Sequence, residues 1–126
     1  MSGEGGSNLR TIDEFEFQQV WSGVRARVVE GERITVAVVE LEPNGRVPGH
    51  QHAHEQMGIV IRGDVTFTVG EETRTFGPGG TWRIPSNVLH NVKVGPDGAT
   101  VVDIFNPIRE DWHDRPKAED QRPFWP

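Results

Sequence analysis

Between residues 24 and 105 the chain is a succession of short runs rich in β-branched residues, each closed by glycine, proline or asparagine. This punctuation restricts the fold more than any other feature, because runs of four to eight such residues suit strands and are too short for stable helices. The runs cover residues 24–29, 34–41, 57–62, 65–69, 73–76, 82–84, 88–94 and 99–105. Val65, Phe67 and Val69 alternate with Thr66 and Thr68, the two-residue period of a half-buried strand. No segment before Pro107 carries a helical period. Many short strands at regular spacing predict an all-β sandwich or barrel.

The chain has 126 residues, enough for one hydrophobic core and one domain. The expected organisation is a flexible start over residues 1–8, a barrel over 9–112 and a polar tail over 113–126. Phe124 and Trp125 lie in that tail; docking on the barrel or on a neighbouring subunit, and simple fraying, are equal expectations for them. A net charge of −6 with scattered basic residues excludes nucleic acid as the expected partner. With no cysteine, disulfides, thiolate metal sites and cysteine nucleophiles are absent. No stretch approaches the ~20 apolar residues of a membrane helix, and the polar first residues do not resemble a signal peptide. The expectation is a soluble, cytoplasmic protein without a membrane partner.

Four of the five histidines fall in two blocks: His50, His52 and His54 in one, His90 in the other. On an extended chain residues i and i+2 share a face about 6–7 Å apart, so His50 and His52 can converge on one ion. On a flat strand Gln56 would lie about 20 Å from His50. It joins the same ion only if the chain turns between them and Gln56 begins the next strand. Glu55, one residue out of register, points the other way. His54 sits at the expected bend and is placed beside the ligands or at the surface. His113, in the tail, is expected to be solvated.

A second informative stretch is Asp103-Ile104-Phe105-Asn106-Pro107-Ile108-Arg109. It places a carboxylate inside an apolar run, where aspartate is uncommon unless paired. Local sequence leaves two readings open. One is a structural pair of Asp103 with Arg109. The other is Asp103 as a proton-transfer group with Arg109 holding a substrate carboxylate.

The two histidine blocks resemble the paired motifs of the cupins. Gly45, His50, His52, Gln56 and Gly63 follow the first, and Gly79, Pro85 and His90 follow the second. Asn87 stands where the second motif has a glycine, Val94 where an asparagine often follows, and Gln56 where glutamate is usual. Asparagine tolerates left-handed backbone, so the turn at Asn87 is expected to survive. The resemblance implies a double-stranded β-helix, or jelly-roll, barrel. It also implies one divalent metal ion on His50, His52, Gln56 and His90. These ligands are all neutral, and zinc, nickel, iron and manganese all remain open.

The ending, with Asp103, Phe105 and Arg109 at matching spacing, is similar to small single-domain cupins of pectin degradation that linearise unsaturated uronates. That resemblance implies a metal-dependent isomerase or lyase on a small carboxylated substrate. Asp103 would move a proton, while Phe105 and Arg109 bind the substrate. An iron or nickel dioxygenase, a non-catalytic ligand-binding or sensing module and a cupin-type polyketide cyclase are the alternatives. The family also implies a homodimer, with the strand at residues 24–29 as its expected contact.

Overall fold

The computed structural model describes residues 6–118. Eight strands form it: β1 (Gln18–Trp21), β2 (Val24–Glu30), β3 (Thr35–Leu41), β4 (Arg46–His50), β5 (Glu55–Val69), β6 (Glu72–Phe76), β7 (Thr81–Ile84) and β8 (His90–Asn106). Every pairing is antiparallel. Two 3-10 turns, Ile12–Glu14 and Glu110–Trp112, complete the described chain. Among the described residues no helix is long and apolar enough to cross a membrane.

The framework is a long ribbon of β5 and β8, paired from Glu55↔Asn106 at one end to Val69↔His90 at the other. The first half of β5 and the second half of β8 share a sheet with β1, β2, β3 and β7. Their other halves share a second sheet with β4 and β6. The two inner faces close on one core that includes Val39, Val60 and Val101 from one sheet and Phe67 and Val92 from the other. This is the jelly roll that the resemblance implies, and it meets the sandwich or barrel that the strand spacing predicts.

The sequence divides each long strand in two, at residues 63–64 and 95–98, and the structure joins them. Gly63 has φ +87°, and a Cβ there would collide with the Gly98 carbonyl. The glycine therefore lets two backbones cross closely while the ladder continues through a bulge. Two further strands carry little sequence signal. β1 is half polar and bulged between Gln19 and Trp21. β4 contains Pro48 and Gly49 and pairs only with β8, an edge position where proline is tolerated. The turn before β4 takes its left-handed residue from Asn44 (φ 58°), not Gly45, and Asn44 is the position separated from His50 by five residues.

Val24 and Ala26 of β2 point into the core. Their side chains are spent within the domain, while Val29 at the end of the same strand is exposed on the outer face. The exposed apolar surface of the larger sheet continues from Val29. Val29, Val36, Ile104 and Met57 form one cross-strand row on the outer face of the larger sheet. Met57 (47% exposed) and Ile104 (42%) anchor it, and Ile59 (39%) lies on the same face one outward-facing row further on.

After β8 the chain returns along β1. Gln19 N donates to Pro116 O at 2.8 Å, and Ala118 N donates to Phe17 O at 2.9 Å. Phe17 is fully buried there. His113 is exposed and contacts Glu30 Oε1 through Nε2 at 2.7 Å, away from the other histidines. Phe124 and Trp125 lie outside the described residues.

Candidate metal centre

His50 ends β4, and His90 opens β8 as its cross-strand partner. His52 is not on the strand of His50. It lies in the connection to β5, where the chain bends at Ala53 and His54. The two histidines therefore converge through a turn rather than through the pleat. Asn87, with φ 63°, donates its backbone N–H to His52 O at 2.7 Å, which ties the two histidine blocks together. Gln56 is the second residue of β5, so the chain turns as the spacing of its ligands requires. Glu55 is exposed and Gln56 is buried, on opposite faces as the register predicts.

The rings of His50 and His90 lie 4.2 Å apart, those of His52 and His90 4.9 Å, and those of His50 and His52 5.7 Å. One nitrogen from each lies within 4.8 Å of the others. The remaining nitrogens explain which. His50 Nδ1 meets Pro48 O at 2.9 Å, His52 Nδ1 meets His54 O at 3.0 Å, and His90 Nδ1 meets Val88 O at 2.9 Å. A carbonyl accepts only, so each Nδ1 carries the proton and each Nε2 presents a lone pair. His90 Nε2 is buried with no hydrogen-bond partner. His52 Nε2 faces Gln56 Oε1 at 3.1 Å. With its proton on Nδ1, the neutral ring sets acceptor against acceptor there, a conflict that a cation between them relieves.

The amide of Gln56 is oriented from behind. Its Nε2 donates to Asp103 Oδ1 at 2.9 Å, and Trp82 Nε1 donates to the same oxygen at 2.7 Å. The amide oxygen therefore faces the imidazoles. Trp82 reaches Asp103 because Gly58 leaves the surface of β5 bare; a Cβ there would collide with the indole. The residues thus fit a divalent ion: three imidazole nitrogens and one amide oxygen, preorganised by backbone carbonyls and a buried carboxylate. His54 stays outside this set, its ring edge-on to His52 and Phe105.

Asp103 does not pair with Arg109. Arg109 instead gives Nε and Nη2 to Asp111, at 2.9 and 2.7 Å, and its guanidinium lies over the rings of Phe105 (4.7 Å) and Trp112 (4.3 Å). The ion pair of Arg109 is therefore with Asp111, in place of the pair with Asp103 that is one reading of the local sequence. Asp103, Phe105, Arg109 and Asp111 all line one cavity of about 130 Å³ that also contains His50, Gln56 and His90. Trp82 and Asp111 carried no recognisable sequence signal, although Asp111 lies only two residues from Arg109.

Burial drives the titration of this site. It pushes Asp103 up to about 6, against the opposing hydrogen bonds from Gln56 and Trp82. It brings His90 down to about 4, against the bond to Val88. His52 is also lowered, by burial and then by the charge of Arg109. In metal-free protein the first two effects have opposite signs. Asp103 has more affinity for protons folded than unfolded, so its contribution falls as pH rises from about 4 to 6. His90 has less, so its contribution is lost as pH falls from 6.5 to about 4. His90→Asn is therefore expected to make the metal-free fold less stable as pH rises through that window. Asp103→Asn is expected to do the reverse. Thermal melts across pH 4 to 7 read both slopes.

A cupin-domain family model matches residues 37–105. A comparison with curated proteins gives no match. Among solved structures, KdgF from Halomonas sp. superposes with a TM-score of 0.77 at 23% identity, covering 83% of this chain and 97% of that one. An RmlC-like cupin from Shewanella frigidimarina gives 0.78 at 20% identity, covering 84% and 96%. An oxalate decarboxylase from Bacillus subtilis gives 0.70 at 20% identity, covering 82% of this chain and 30% of that one. At these identities the likeness establishes the fold.

Proposed function

Because the chain belongs to the cupin-domain family, we propose that it is a metal-dependent isomerase or lyase acting on a small carboxylated substrate. The observation that carries this reading is the set of three imidazoles whose Nδ1 atoms are engaged by backbone carbonyls. Their Nε2 atoms are left to converge on one point. His50, His52, His90 and Gln56 would hold the ion, which is zinc, nickel, iron or manganese. When bound, it supplies Lewis acidity toward a carboxylate, carbonyl or enol oxygen.

The protein's own groups supply the rest. Asp103 uses one carboxylate oxygen to fix Gln56 and Trp82, and it borders the cavity. A proton affinity raised toward neutrality suits a group that takes a proton from one carbon and returns it to another. Phe105 forms a wall of the cavity and supports the guanidinium of Arg109. The Nη1 group of Arg109 and the outer N–H of Nη2 are the donors that remain for a substrate carboxylate, since its Nε–Nη2 edge is held by Asp111.

Unsaturated uronates are the first substrates to try, on the resemblance of the Asp103–Arg109 segment to uronate-linearising cupins. The metal-loaded protein is expected to remove the ultraviolet absorbance of the conjugated acid, and the metal-free protein is not. Equal rates with and without metal would reject metal-dependent turnover.

The same reading includes a homodimer, formed by two copies of the outer row around Met57, Ile59 and Ile104. A second copy is the favoured occupant because the antiparallel sheet is apolar on both faces there, and the outer one is left uncovered by the described chain. Ile59→Lys is expected to shift the native mass from dimer to monomer with the circular dichroism spectrum unchanged. A parent protein that is already monomeric at micromolar concentration would remove the proposal.

A further inference from the structure

The inner faces of the two sheets divide the cavity into a polar end and an apolar end. Cross-strand register gives the order. Thr35, Phe105 and Gln56 form the row nearest the histidines on the larger sheet, and Asp103 lies one inward-facing row further on. Beyond that row, the cavity lining includes Val39, Leu41 and Val101 from the larger sheet, and Val47, Phe67 and Val92 from the smaller one. Among the described residues, no serine, threonine, tyrosine or asparagine lines this cavity. Every hydrogen-bonding side chain in it belongs to the histidine end or to the rim at Trp21, Arg109, Asp111, Trp112 and Arg115.

We propose that this cavity selects a short acid whose oxygens are gathered at one end and whose remaining body is hydrocarbon. Such a ligand places its chelating oxygens among His50, His90 and Gln56 and its carbon chain against the valines. A polyhydroxylated acid of equal length buries hydroxyls where nothing can bond them. Each hydroxyl desolvated without a partner costs roughly tenfold in affinity. This selectivity rests on the proposed metal centre for the placement of the oxygens. It narrows the carboxylated substrate to the apolar side of its class, and so departs from the uronate that the resemblance of the Asp103–Arg109 segment suggests.

The test is a matched pair of six-carbon 2-hydroxy acids, 2-hydroxy-4-methylpentanoate and gluconate, titrated by calorimetry into zinc-loaded protein at several temperatures. Both present the same carboxylate and 2-hydroxyl. The branched aliphatic acid is expected to bind at least about tenfold more tightly, with a negative heat-capacity change that marks apolar burial. Val101→Thr, nearly isosteric, sets a hydroxyl into the apolar wall and is expected to narrow the ratio. Equal or tighter binding of gluconate would overturn the proposal, as would failure of both acids to bind protein that holds zinc. Zinc content is measured separately, so absence of bound zinc would count against the metal centre instead. In that case the same pair titrated into metal-free protein still decides the preference of the wall: the aliphatic acid must again bind more tightly, with a negative heat-capacity change, or the proposal falls.

Discussion

His52→Ala is expected to lower zinc affinity at neutral pH by on the order of a hundredfold or more, since it removes one of three imidazole ligands. After buffer exchange, the variant should carry under about a tenth of the metal that the parent carries. The substitution is well suited to the test because His52 is only half-buried and lies in a connection rather than on a strand. The backbone carbonyl that accepts from Asn87 is kept. Fold and metal binding are therefore separable: the variant's far-ultraviolet spectrum should match that of the parent. Two neighbours serve as controls. His54→Ala removes a ring that touches His52 but lies outside the cluster, and it should change metal content by less than about threefold. Glu55→Gln alters an exposed residue on the opposite face and should change nothing. Bound metal also raises the melting temperature of any protein that binds it only when folded. That increment should be present in the parent and in both controls and absent in His52→Ala. A His52→Ala protein with the parent's full metal content would refute the assignment.

The residues that define the candidate centre were legible in the sequence because their chemistry is concentrated in two short blocks. Much of the geometry that presents them was not. His-x-His suggested one extended strand, whereas His50 ends β4 and His52 follows it in a bend. Periodicity reports the faces of regular strands and is silent on a turn that brings side chains together by its shape. The long strands β5 and β8 looked broken because glycine interrupts a propensity run, yet Gly63 bends a ladder that stays bonded on either side. The partners of Asp103 were hidden for a different reason. Gln56 and Trp82 are 47 and 21 residues away in sequence, and nothing local to Asp103 names them. The apolar alternation at residues 24–29 was read correctly as a strand with one buried face. That Val24 and Ala26 face the domain's own core depended on the sheet the strand joined. Only the register of β2 with β3 decides that.

Gln56→Glu should restore the carboxylate that is usual at this position of the resembling motif, yet here it is expected to destabilise the metal-free protein at alkaline pH. The reason is Asp103. In the parent the amide donates to Asp103 Oδ1 at 2.9 Å, in a site where burial already raises that carboxyl's proton affinity. A second carboxylate at that distance has no proton to offer and adds like charge in a poorly solvated place. The pair must then either share one proton or repel. The folded-state proton affinity of the pair lies well above its unfolded value. Stability is therefore greatest at low pH and lost as pH rises. Roughly 2–4 kcal/mol between pH 5 and pH 8 is expected for a buried pair of this kind, read as a fall in melting temperature that the parent does not show. Asp103→Asn in the same chain should reverse the loss. Its side chain can keep accepting from Trp82 through the oxygen while its amide donates to the introduced carboxylate. The double variant is then expected to melt close to the parent at pH 8. The coupling measured by the cycle should then be about as large as the sum of the single effects and opposite in sign. Added zinc should rescue Gln56→Glu in part, since a cation in the cluster offsets the charge. The choice of glutamine over glutamate is thus tied to the aspartate behind it. A Gln56→Glu protein as stable at pH 8 as at pH 5 would break that link.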